Sequence, residues 1–200
     1  HVYAGFIDGW VDVKRNKENS TEFRGHWNQN INANYRAIDD LNFTENELNN
    51  LRSIGITTIH AVPTDGIIKG QSDVVVISKN PKVISDPISQ VIELKPIAPK
   101  NRKYPNSMLG AVALVRQTFI DADWYNKAIS ISKKFPEENE PIRQDLSLSE
   151  IYNFKVNKLP WLFKTNDEHA AIRALNICNE FNLKPWLLGS GYEYRRLEEI

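Results

Sequence analysis

Cysteine is almost missing from this chain. The single Cys178 cannot form an internal disulfide, and it stands on the apolar face of a helical pattern, where a thiol behaves as a small buried hydrophobe rather than a nucleophile. An excess of either charge is missing too. Lys and Arg number 25 and Asp and Glu number 25, with no basic block or stripe, so nucleic-acid binding has no electrostatic support. No apolar run reaches the ~20 residues of a membrane-spanning helix. No signal peptide, low-complexity tract or internal repeat is visible. The chain opens at His1 without methionine and reaches "RRLEEI" in a helical pattern. It is therefore expected to be one segment, 1–200, of a longer chain, with its compartment unreadable and any targeting signal outside the segment.

What is present is a globular composition. Ten per cent aromatic residues, five of them Trp, point to a packed core, and 200 residues suit one domain or a large piece of one. In "AGFIDGWVDV", Phe6, Asp8, Trp10 and Asp12 share one strand face. Residues 14–43 are polar and irregular, and a loop this long is usually functional or an insertion. "TENELNNLRSIG" carries a capping box, Thr44 with Glu47, and a Gly55 stop, and "ITTIHAV" reads as a buried strand parallel to the first.

"PTDGIIKGQS" reads as a loop at the end of that strand, and "DVVVIS" as another strand. "SQVIELKPIA" is extended and forms a small excursion with its predecessor. A long helix begins at Asn106 or Ser107, with Met108, Ala111, Val112, Val115, Phe119 and Ala122 inward. "SLSE", Ser147 to Glu150, reads as a second capping box. "LPWLFKT" and "KPWLLGSG" read as strands around a helix capped by Asn166, and "YEYRRLEEI" as the start of a last helix. Strand and helix alternate, which predicts an α/β fold with a parallel sheet.

Chemistry-bearing residues are sparse. Of four histidines, His1 is at the edge, His26 reads as a solvated loop residue, and His169 reads as a surface or capping residue. His60 alone sits where a strand ends, and a hydrogen-bonded structural role suits it better than a catalytic one. Asp8 and Asp12 share a face; Asp8 reads as a brace, while Asp12 is open to either reading. The loop bearing Asp65, Lys69 and Gln71 lacks P-loop spacing and reads as shaping a site's rim. "GSG" around Ser190 is not a nucleophile elbow. Trp124, Tyr125, Trp161 and Trp186 could line a sugar groove, but packing of strand against helix explains them more simply.

Four stretches together resemble the imidazolonepropionase-related branch of the amidohydrolase superfamily. They are "VYAGFIDGWVDV", the run from "GHWNQNINANYRAIDD" through "GQSDVVVIS", "SMLGAVALVRQTFIDADWY", and "LPWLFKTNDEHAAIRALNICNEFNLKPWLLGSGYEYRRLEEI". The resemblance implies a (β/α)8 barrel. Such a barrel takes roughly 250 residues, so this chain would hold part of one. It also implies a divalent metal, zinc among others, held by His-x-His on the first strand, a carboxylated Lys or a Glu, and further His on later strands.

Here the first pair falls on Trp10 and Asp12, the later pair on Lys164 and Asn166, and the last His on Gly189. Indole, ammonium, amide and hydrogen are poor ligands; only Asp12 offers an anionic oxygen, and Asp12 with His60 falls short of a tight zinc site. The expectation is a partial amidohydrolase-type barrel with no cofactor in this segment, acting as a structural or interaction unit beside the remainder of its own chain. The alternative is a metal-dependent hydrolase of C–N bonds, such as cyclic amides, with ligands supplied from outside the segment. Exposed sheet edges further predict self-association.

Overall fold

The β-branched and apolar runs of the chain form one six-stranded sheet, ordered β1-β2-β3-β4-β5-β6. The computed structural model describes residues 10–15, 25–96, 104–137 and 142–200. Its strands are β1 (Trp10–Val13), β2 (Thr58–Pro63), β3 (Ile68–Val76), β4 (Lys82–Ile92), β5 (Pro160–Lys164) and β6 (Lys184–Leu188). Its helices are α1 (Glu45–Ser53), α2 (Met108–Lys134), α3 (Leu146–Val156) and α4 (Glu168–Phe181). Asp8 and His1 lie outside the described residues, and of Trp10 only the backbone is described.

The expected parallel pairing of β1 with β2 is present, as are parallel β4–β5 and β5–β6. The all-parallel alternation is not. β3 runs antiparallel to both β2 and β4. The reason is connection length: a parallel crossover needs a dozen or more residues, and the turns on either side of β3 have four and five. The "excursion" read in the sequence is thus a full hairpin inserted within an otherwise parallel sheet. Lys69 and Gln71, read as loop residues, are buried on β3.

Helices cover the outer face. Ile92 of β4 and Trp161 and Phe163 of β5 pack against α2, α3 and α4 in the larger core. Trp161 is completely buried, with Phe119 and Phe154 edge-on at 5.0 and 5.9 Å. Its size makes it the anchor of that layer. Leu48 of α1 meets Val13, Ile59, Ala61 and Val75 in a second core. The anticipated apolar side of α2 is buried from Ala111 to Ala122, with Met108 half-buried. Tyr125 joins this layer, whereas Trp124 and Trp186 are exposed, contrary to the packing reading.

The long polar loop has a defined role. β2 stops pairing with β3 at Ala61–Asp73, so the first half of β3 lacks a strand on that side. Residues 31–36 fill the place, with bridges Ile31–Ile68 and Arg36–Gln71. The "GQS" triplet holds them. The Gln71 side-chain amide donates to the Ala33 carbonyl at 3.3 Å and to Glu150 at 3.2 Å, and Gln90 donates to the same Ala33 carbonyl at 2.7 Å. Ser72 bonds Ser89 across the hairpin at 2.7 Å. Gly70, at φ +126°, lets the loop backbone approach; a Cβ there would stand 2.4 Å from the Tyr35 carbonyl oxygen.

Helix starts shift slightly from the expected positions. Thr44 and Glu47 form the full capping box. α3 is capped by Asp145 rather than Ser147, whose hydroxyl donates to Asn34 while Glu150 serves Gln71. α4 is capped by Asp167 rather than Asn166. In each case the carboxylate is the stronger acceptor for orphan N–H groups. The last helix is a single 3-10 turn, Glu193–Arg196, because Tyr194 and Leu197 find no surface to pack on and local propensity alone does not propagate a helix.

Gly70→Ala should cost about 2–4 kcal/mol, combining left-handed strain with overpacking against Tyr35. Urea unfolding with an unchanged m-value would read this. Wild-type stability in the variant would show that the loop does not depend on Gly70.

Candidate functional site

Side chains alternate between the two faces of each strand, so Asp12, His60, Val62, Val91, Leu162, Lys164 and Leu188 fall on the face turned away from the helices. Val62, Val91 and Leu162 form a small apolar cluster with Leu188 against it. Val62 on β2 meets Val91 on β4 over β3, whose inner residues Gly70 and Ser72 are small. The same face brings Asp12 of β1 and Lys164 of β5 to 3.7 Å. These strands are four intervals apart, about 19 Å in a flat sheet. The sheet is therefore strongly curled, with this face concave.

At the rim of the concave face, where the parallel strands end, charges are paired. A bulge between Ile68 and Gly70 turns Lys69 inward. Its ammonium contacts Glu93 at 2.8 Å and donates to the Thr64 carbonyl. Glu93 also takes Lys95 at 3.0 Å, so one carboxylate holds two ammonium groups. Burial draws the Lys69 pKa below the ordinary lysine value, with Glu93 opposing it. Burial raises the Glu93 carboxyl, but Lys69 and then Lys95 outweigh that and hold it below the usual range. Nearby, Arg15 donates to the Asn32 side-chain oxygen at 2.9 Å, and its backbone N–H donates at 3.2 Å to Asp65, exposed in the turn before β3.

The other two positions where the resemblance placed ligands, Asn166 and Gly189, lie just past the ends of β5 and β6, where Lys164 and Leu188 are in register. Asn166 is exposed in the turn after β5. Gly189 follows β6, and a Cβ there would meet the Glu193 carboxyl at 2.8 Å. That carboxylate accepts the N–H groups of Ser190 and Gly191 at 2.7 and 2.8 Å. Slight burial raises its pKa; these backbone hydrogen bonds overcome the rise and lower it. The end of β6 is built around an internally satisfied acid, which a side chain at 189 would have to push aside.

His26, expected to be solvated, is 2% exposed; its Nδ1 accepts the Asn28 N–H at 3.1 Å within the long loop. His60 lies within β2, three residues before its end, opposite Trp10 in register. His169 is exposed on the first turn of α4. Among the described residues, no three His, Cys, Asp or Glu side chains converge. Asp12, the one carboxylate among the positions where the resemblance placed ligands, faces the Lys164 ammonium at 3.7 Å. Cys178 is buried, and burial pushes its thiol pKa up to about 12, consistent with an inert side chain.

Arg15, Asn32, Glu93, Lys95 and Glu193 were not singled out from the sequence. The readable signal was Glu93, one carboxylate in the apolar run "QVIEL", where burial demands a partner.

No protein-family model matches the chain, and no curated protein matches it. Among solved structures it is similar to an amidohydrolase from Thermotoga maritima MSB8, with 19% identity and a TM-score of 0.64 over 90% of this chain and 51% of that one. The chain thus spans about half the length of that structure. At this identity the likeness is one of fold: the chain has an amidohydrolase-like α/β fold.

Burial lowers the pKa of His60 to about 4 and moves that of His26 in the same direction. Both folded values lie below the unfolded one, so the unfolded state binds more protons. Stability is full above about pH 6.5 and falls as the pH drops towards 4, by up to roughly 3 kcal/mol for His60. Unfolding curves between those limits should show a shallower pH slope for His60→Gln than for wild type. An identical slope would show that His60 is not buried as a neutral imidazole.

Proposed function

We propose that this chain is an amidohydrolase-derived, partial (β/α)8-type unit without metal chemistry, serving a structural or interaction role beside other parts of its protein. The observation that carries the reading is the ion pair between Lys164 and Asp12 at 3.7 Å on the concave face. An ammonium at this place supplies the positive charge that the Asp12 carboxylate would otherwise take from a bound cation. A divalent ion would have to displace it against like-charge repulsion. No cofactor belongs to this reading. The half-exposed pair itself contributes little stability, so Lys164→Ala should cost less than about 1 kcal/mol.

A second reading is a metal-dependent hydrolase of C–N bonds whose ligands come from elsewhere in its chain. It draws on the amidohydrolase similarity and on the half of that neighbour not spanned here.

Elemental analysis of the purified protein after zinc loading and desalting separates the two. The proposal expects no stoichiometric zinc, and no change in Asp12→Ala or His60→Ala. Stoichiometric zinc lost in either variant would support the hydrolase and overturn the proposal.

A further inference from the structure

α2 is apolar on two sides. One side enters the core from Ala111 to Tyr125. The other carries Leu109, Ala113, Arg116, Ile120, Trp124, Lys127 and Ile131, spaced by four, three, four, four, three and four residues. At 100° per residue all seven fall within about 40° of Ile120, so they form one straight stripe roughly 33 Å long. Leu109, Ile120, Trp124 and Ile131 are 78%, 54%, 64% and 55% exposed, and Ala113 is exposed. A helix that is apolar on opposite sides is ordinarily covered on both. Among the described residues nothing covers this one.

The stripe is symmetric. Leu109 and Ile131 stand eleven residues to either side of Ile120, Ala113 and Lys127 seven, and Arg116 and Trp124 four. A second α2 laid antiparallel on the first would therefore place Ile120 on Ile120, Leu109 on Ile131, Ala113 on the Lys127 stem, and Arg116 on Trp124. Gln117 would face Asp123 beside the stripe. No like charges meet. The eleven-residue spacing keeps two such helices nearly straight along the contact.

A receptor for the indole is already present. A groove of about 400 Å³ between α2 and α4 is lined by Met108, Leu109, Val112, Ile177, Arg116 and Arg173. Glu180 of α4 holds the Arg116 guanidinium at 2.6 Å over this groove. Arg173 Nε, buried beside it, has no hydrogen-bond partner. An aromatic face is the surface a positioned guanidinium accepts.

We propose that the α2 stripe is a two-fold interface between copies of this chain, with Trp124 of each copy seated in the α2–α4 groove of the other. The flat strip alone, about 33 by 10 Å, supplies roughly 660 Å² over both copies, below a standard specific interface, so the two seated Trp124 side chains carry the contact and the dimer is transient, of micromolar strength rather than obligate. This surface is separate from the sheet edges at β1 and β6, and the inference is independent of the functional reading above.

Sedimentation velocity across the micromolar range, combined with thiol cross-linking, tests it. The native thiol, Cys178, is buried and silent. Ile120→Cys should cross-link to itself under mild oxidation. Leu109→Cys and Ile131→Cys should each stay uncross-linked alone and couple when mixed. Ile120→Glu, at an exposed position, should weaken dimerisation about 30-fold or more with unchanged Tm. A monomer throughout the range overturns the proposal. So does a dimer indifferent to Ile120→Glu, which would place the contact on a sheet edge. Self-coupling of Leu109→Cys would mean parallel helices and also overturns it. A monomer with Trp124 shielded from a collisional quencher would show the face covered by its own chain, with the same consequence.

Discussion

Asp12 and Lys164 belong to strands that are four intervals apart, yet their charges are in ion-pair contact. Only a sheet that bends back on itself allows this, and the concave face owes its features to that bend. The curvature lets Val62 and Val91 meet over β3 and sets Lys69, Glu93 and Lys95 along one rim. Small residues make the bend possible. Gly70 and Ser72 are small on the one strand that runs against the others, so its neighbours close over it.

The antiparallel β3 poses a second problem that the long loop solves. Where β2 leaves β3, backbone donors and acceptors would be exposed beside the core, and residues 31–36 pair with them instead. Gln71 and Gln90 converge on the Ala33 carbonyl, so the loop is held from the sheet side as well as by its own turns. Asn28, held by His26, then ties the middle of the loop to Tyr104. What reads as a free polar insertion is thus part of the fold's framework. The triplet that looks like a rim loop is its clamp.

Much of this was legible in the residues. Thr44 with Glu47, the apolar periodicity of α2, and the β-branched run at β2 declared themselves because each is a local signal with a short-range cause. The antiparallel hairpin was less legible. Its first strand is buried on both faces although Lys69 to Asp73 are mostly polar, so neither alternation nor apolar content told strand from loop or gave its direction. The Asp12–Lys164 pair was beyond sequence reading because its distance is set by curvature. Residue types could say that histidines were lacking at the aligned positions; they could not say that an ammonium from β5 would reach β1. Likewise the Glu193 carboxylate under Gly189 depends on a turn whose shape emerges only from packing.

The account's central claim is that an ammonium, not a metal, stands against Asp12 on a curled sheet. A crystal structure of the protein soaked in zinc, with diffraction recorded on both sides of the zinc absorption edge, tests it most directly. The account predicts the Lys164 ammonium within ion-pair distance of Asp12 and no anomalous peak between β1 and β5. A zinc peak coordinated by Asp12, with Lys164 turned away, would contradict it.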